Sequence, residues 1–209
     1  MKNLLANIKI KVEEKVYLKD PEGSEKGRDI IKHGILLIDE LGLEAFTFKK
    51  LAERIGSTEA TIYRYFESKH MLLSYLISWY WNWLEYKLVF AINNIDSPEE
   101  RLRIAISILA GRIENDMDFE HIDEVILQRI VVAESAKAYL TKAVDANNKE
   151  GFFLSYKRIC KRIADIGHQT DGRSRQLALQ ADLAQAVHAE LKHRQVMLRP
   201  EAKQHQRQP

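Results

Sequence analysis

The sequence predicts an all-α protein of eight or nine helices. Three observations carry that expectation. Apolar residues recur at three-to-four spacing through most of the chain. No stretch shows strand alternation bounded by hairpin turns. Residues Thr47 to Lys69 form two short amphipathic segments hinged at Gly56, the second crowded with polar and aromatic side chains.

Taken in order, residues 1–23 mix Lys and Glu and end in Asp20-Pro21-Glu22-Gly23, where proline and glycine break a helix, so they read as an N-terminal arm. Ser24 caps the first helix, whose positions Ile30, Gly34, Leu37, Ile38 and Leu41 share one face, and Gly42 ends it. Thr47 caps a second helix with Phe48, Leu51, Ala52 and Ile55 on its apolar face, closed by Gly56. A third runs from Thr58 to about Phe66 and completes a domain over residues 24–70.

Ser68 caps a long fourth helix reaching Asn93 or Asn94. Asp96-Ser97-Pro98-Glu99-Glu100 restarts a helix, with a capping serine, proline at the first helical position and acids in the first turn. Periodic runs over Leu102–Ile113, His121–Val144 and Phe152–Ile166 continue a helical domain over residues 71–166. Residues 167–209 differ: the first 166 residues hold 21 isoleucines and one glutamine, the last 43 no isoleucine, no aromatic residue and eight glutamines. Leu179, Leu183, Val187 and Leu191 keep a helical spacing there, so this compositionally atypical tail reads either as a terminal helix with a disordered end or as an altered-frame or fused segment.

Composition bounds the function classes. With 45% apolar residues the chain can bury a core, and 32 basic against 30 acidic residues leave a formal net charge of +2, so any basic face must be local. Cys160 is the lone cysteine; it cannot form an internal disulfide, and a reducing cytoplasm fits. Residues Met1 to Val12 lack a signal-peptide core, and the uncharged apolar stretch Met71 to Leu84 falls short of the roughly 20 residues needed to span a bilayer, so no membrane partner is expected. His33, His121 and His168 are far apart, and there is no phosphate-cradling glycine loop and no nucleophile elbow. His188 and His193 are weak metal candidates. No catalytic residue, no metal and no cofactor is expected, and the chain reads as a non-enzyme.

The chemistry of the third helix points elsewhere. An α-helix fits the major groove of duplex DNA, where each base pair presents distinct donors, acceptors and methyl groups. Ile62 and Phe66 can pack inward with Leu51 and Ile55, leaving Glu59, Ala60, Thr61, Tyr63 and Arg64 toward a groove. Glu59 can accept from a cytosine amino group or simply favour the helix dipole, and Ala60 permits close backbone approach. Tyr63 and Tyr65 can donate to phosphate; Arg64 and Lys69 suit phosphate neutralisation or remain solvated charges. Thr47, as a cap, lies beside backbone N–H groups that attract phosphate.

These residues sit in an ordered set: Leu41-Gly42-Leu43, Phe46-Thr47, Lys50-Leu51-Ala52, Ile55-Gly56, Ala60-Thr61-Ile62-Tyr63-Arg64-Tyr65-Phe66, Ser68-Lys69 and Leu72-Leu73. Over Gly27 to Leu73 the chain resembles the TetR/AcrR family of bacterial transcriptional regulators. The resemblance implies an N-terminal three-helix helix-turn-helix domain joined by a long helix to a C-terminal helical bundle, with residues 71–166 as the ligand-binding and dimerisation domain. It also implies a sequence-specific, ligand-responsive repressor acting as a homodimer on a near-palindromic double-stranded DNA operator, with an unidentified small-molecule effector. It implies phosphate contacts for Thr47 and Lys69, base-facing Glu59, Ala60 and Thr61, and backbone or base contacts for Tyr63, Arg64 and Tyr65. Ser57 and Ala60 depart from the family's common aliphatic residue and glycine, which bears on which operator is read. Tyr75, Trp79, Trp83, Tyr86 and Phe90 share one stripe of the fourth helix; core packing accounts for such a stripe, and the resemblance adds an effector pocket of Trp79, Asn82, Trp83, Tyr86 and Phe90. A helical protein-binding adaptor without sequence-specific DNA binding is the alternative reading.

Overall fold

A computed structural model describes residues 9–116, 119–139 and 154–170. Among these residues the fold is all-helical: a short 3-10 turn at Glu14–Val16, then α1 (Glu25–Ala45), α2 (Phe48–Arg54), α3 (Glu59–Tyr63), α4 (Lys69–Ile92), α5 (Pro98–Ala110), α6 (Glu124–Tyr139) and α7 (Leu154–Gln169). The tail beyond residue 170, with Leu179, Leu183, Val187, Leu191, His188 and His193, lies outside the described residues, as does the expected continuation of α6 to Val144.

The helix starts follow from local chemistry. Ser24, Thr47, Ser68 and Ser97 are N-caps whose hydroxyls accept from Gly27, Lys50, Met71 and Glu100 backbone N–H groups, satisfying donors that a helix leaves orphaned. Pro98 occupies the first turn of α5, where a missing N–H costs nothing. Gly42 does not stop α1 outright. It adopts φ 72, ψ 160, a conformation open essentially only to glycine, and the chain makes one more turn to Ala45 beyond that kink. Gly56, at φ 59, makes the turn between α2 and α3.

α4 is the axis of the molecule. Its residues are apolar nearly all round, and Leu72, Tyr75, Leu76, Trp79, Trp83 and Leu88 are almost completely buried, because α1, α5, α6 and α7 all pack on it. Trp79 and Trp83 stack at a ring separation of 6.2 Å, and Phe119 meets Trp79 edge-on at 5.2 Å. No helix among the described residues is long and apolar enough to cross a membrane.

Residues 9–23 are more than an appended arm. Ile10, Val12 and Val16 are buried in the same core, while Lys9, Lys11 and Lys15 between them face solvent. Glu22 then ties the segment to both halves of the molecule: its carboxylate accepts from the Tyr75 hydroxyl on α4 at 3.2 Å and lies 2.9 Å from His121 Nε2 ahead of α6. Burial, with Glu22 beside it, pushes the Tyr75 phenol far above its ordinary range.

Candidate nucleic-acid interface

α2 and α3 form a helix pair whose inner face is sealed. Leu51, Ala52, Ile62 and Phe66 are buried in the core, with α2 packed on α1 and on α3 and Phe66 meeting Tyr75 of α4 edge-on, which fixes the roll of α3. Thr58 caps α3, accepting from Thr61 N and sharing a 3.1 Å hydroxyl contact with Thr61 Oγ1. With Ile62 inward, Glu59, Ala60, Tyr63 and Arg64 are exposed together and Thr61 is half-buried beside its cap. Tyr63 keeps 49% of its surface, yet its ring is braced edge-on by Phe48 at 5.0 Å, so the hydroxyl is presented on a supported stem.

Thr47 is exposed at the start of α2, its hydroxyl accepting from Lys50 N at 3.3 Å. Its backbone neighbour Phe46 is fully buried and packs edge-on against Phe48, which anchors the entry to the helix. Of the basic residues around the pair, Arg54 is neutralised by Glu40 and Lys50 Nζ donates to Ala45 O, whereas Lys49 and Arg64 extend from an exposed surface.

Two of the sequence-selected residues are engaged inside the fold. The Tyr65 ring is only 4% exposed; its hydroxyl meets Ser24 Oγ at 2.9 Å, and Lys19 Nζ lies 5.0 Å from the ring centroid. The Ser24 hydrogen bond, reinforced by Lys19, holds the Tyr65 phenol below its ordinary value. Lys69 Nζ donates to three carbonyls, Leu43 O at 2.8 Å, Glu44 O at 3.1 Å and Phe46 O at 3.3 Å. It thereby satisfies the acceptors that the end of α1 leaves open. Neither partnership is visible in local sequence, since the partners lie tens of residues away.

The stripe on α4 is graded along its length. Trp79 and Trp83 are sealed in the core, with Trp83 Nε1 3.5 Å from Asp116 Oδ2. Tyr86 is half-buried, and Phe90, tilted against it at 6.2 Å, is 74% exposed. Asn82 turns to α7, where its Oδ1 accepts from Ser155 and from Arg158, at 2.8 Å from the latter. Beside the tryptophans, Glu124 opens α6. It is fully buried, one oxygen accepts from Asp116 N at 3.1 Å, and the other has no hydrogen-bond partner. Burial pushes its carboxyl up to about 7. Among the described residues no group of three or more His, Cys, Asp or Glu side chains could hold a metal ion.

Residues 30–76 match the model for "bacterial regulatory proteins, tetR family". That segment runs from within α1 to within α4 and contains the whole α2–α3 pair. Among solved structures, the fold is similar to that of AibR, determined in complex with isovaleryl coenzyme A and operator DNA: 18% sequence identity, a TM-score of 0.54, and coverage of 82% of this chain and 97% of that one. No curated protein matches the sequence.

Proposed function

We propose that this chain, a regulator carrying the DNA-binding domain of the TetR family, acts as a homodimeric repressor on a near-palindromic operator and releases it when a small molecule binds the helical domain. The observation that carries the reading is the roll of α3: Ile62 is fully buried, so Glu59, Ala60, Tyr63 and Arg64 stand exposed side by side next to the exposed cap Thr47. Glu59, Ala60 and Thr61 reach base edges, Tyr63 and Arg64 take phosphate or base contacts, and Thr47 offers the α2 N-terminus to phosphate. Tyr65 and Lys69 serve the interface from behind, Tyr65 by fixing the last turn of the reading helix to Ser24 and Lys69 by fixing the entry to α2. Lys69 keeps its positive charge close to the phosphate path. A twofold dimer places two such heads on half-sites about one helical turn apart, or a multiple of it.

The operator DNA and isovaleryl coenzyme A bound by AibR support both partner classes. In this chain an apolar or aromatic effector packs against the stacked pair Trp79 and Trp83. Asn82, Tyr86 and Phe90 line the approach along α4. The repressor works in the cytoplasm, where its operator is. The test is a titration of the protein against duplex DNA from the region upstream of its own gene and against a scrambled duplex, at one stated salt concentration. Preference for the upstream duplex of about a thousandfold or more is expected; equal affinity for the two refutes the reading.

A further inference from the structure

We infer that Glu134, on α6 and remote from the exposed face of α3, is a positioning residue for operator binding, holding the turn that sets Thr47 and the start of α2. This inference rests on the DNA-binding reading and adds a route by which the helical domain governs it.

The turn in question begins at Gly42, where α1 breaks at φ 72, and runs through Leu43 to Phe46 directly into the cap Thr47. A chain reversing out of a helix leaves backbone groups without helical partners. Here long side chains from other helices satisfy them. Lys69, the first residue of α4, takes the carbonyls of Leu43, Glu44 and Phe46, and Lys50 of α2 takes that of Ala45 at 2.8 Å. On the donor side, Leu43 N donates to Glu134 Oε1 at 3.3 Å, in a buried contact between residues 91 positions apart.

Glu134 is an expensive residue to place there. Its side chain is only 10% exposed, and its second oxygen lies 2.8 Å from Lys137 Nζ, which also reaches Glu44 at 3.5 Å. With the Lys137 side chain 38% exposed, that ion pair adds little stability. What it supplies is directional: a carboxylate oxygen at a fixed height along α6 that one backbone N–H must meet. Five residues closer to the start of α6, Arg129 grips Asp39 of α1 through paired hydrogen bonds of 3.0 and 2.6 Å. α6 thus registers against α1 at two points, and the second is the turn itself.

The turn has two rigid outlets toward the reading face. Thr47 follows Phe46 in the chain, and Phe46 packs on Phe48, which in turn braces the exposed Tyr63 ring. A shift of α6 relative to α1 and α4 pulls on Leu43 N–H while Lys69 holds the carbonyls, so the turn must tilt, and Thr47 and Tyr63 tilt with it. α4 and α6 pack on each other throughout the body of the molecule, so an event at the α4 tryptophans has a route to the turn through both arms of the clasp.

The test uses the full chain and a labelled duplex from its own upstream region, with thermal melting of each variant measured in parallel. Glu134→Ala should weaken binding about tenfold, the scale of one lost hydrogen bond to a charged group. Glu134→Gln, whose amide oxygen can still accept from Leu43 N–H, should retain most of the affinity. Glu134→Asp, which keeps the charge but falls short of the turn, should behave like Ala. In a Thr47→Ala, Tyr63→Ala background the Glu134→Ala penalty should shrink to less than about threefold, because both groups through which it acts are gone. Wild-type affinity in Glu134→Ala, equal losses in Gln and Ala, or a Glu134→Ala penalty that persists in full in that double background each overturn the inference. If Ala melts below the assay temperature, the Gln and Asp pair decides alone. A wild-type protein that binds upstream and scrambled duplexes equally strikes the DNA-binding reading itself, an outcome distinct from any of these.

Discussion

Glu124 makes the stability of the fold depend on pH in a direction opposite to that of a paired surface carboxylate. Its carboxyl is fully buried at the start of α6, with Asp116 N as donor to one oxygen and none to the other, and Asp116 and Asp123 nearby oppose its ionisation. Burial moves it from the ordinary 4.5 to about 7. In the unfolded chain the group ionises above about pH 4.5, whereas in the fold it stays protonated until about 7. Between those values unfolding releases a proton, so the group's contribution to stability is full below the lower value, falls as pH rises through the window, and levels off above the upper one. A displacement of that size is worth up to about 3 kcal/mol at 25 °C. Glu124→Gln preserves the acceptor for Asp116 N and removes the titration. Denaturant unfolding at pH 5 and pH 8, followed by the fluorescence of Trp79, Trp81 and Trp83, should show the wild type losing stability relative to the Gln variant by roughly 2–3 kcal/mol over that interval. A wild-type-minus-variant difference that is the same at both pH values, or that grows in the wild type's favour as pH rises, refutes the assignment of a buried neutral acid.

Gly42→Ala forces an L side chain into φ 72, ψ 160, and should lower stability by about 1–3 kcal/mol in denaturant unfolding even though the added carbon would meet Glu134 Oε1 only at an ordinary 3.5 Å. A variant as stable as wild type would show that the kink relaxes freely. Arg64→Ala should weaken binding to specific and non-specific duplexes alike and reduce the slope of log affinity against log salt by about 1 per subunit if Arg64 meets phosphate; a loss confined to the specific duplex, with the slope unchanged, would make it a base reader instead.

Much of the fold was legible because its helix starts are written locally. A serine or threonine one residue ahead of an apolar periodic run sufficed for Ser24, Thr47, Ser68 and Ser97, and all four hydroxyls cap the helices expected of them. The α4 axis was legible from the near absence of charge along its first five turns. What escaped the sequence depends on contacts across long separations. Ile10, Val12 and Val16 alternate with lysines and glutamates and read as a polar arm, yet all three are buried in the core and the Glu14–Val16 turn packs on α4. Tyr65 and Lys69 stand next to exposed residues in sequence, and only the distant positions of Ser24 and of the Leu43–Phe46 turn show that both are held inside. The aromatic stripe was placed on one face by spacing alone, but spacing carries no information about how far along α4 the other helices extend, and so could not separate sealed Trp79 from exposed Phe90.

The central claim is that two copies of this chain present α3 to successive major grooves of one operator. A nuclease footprint on the DNA flanking its own gene, taken with the purified full-length protein, tests it most directly. Protection of a near-palindromic site with half-site centres about 10 base pairs apart or a multiple of that, lost with a Tyr63→Ala, Arg64→Ala double variant that still melts like wild type, is the predicted result. Protection that follows no sequence, or that survives loss of Tyr63 and Arg64 unchanged, would contradict it.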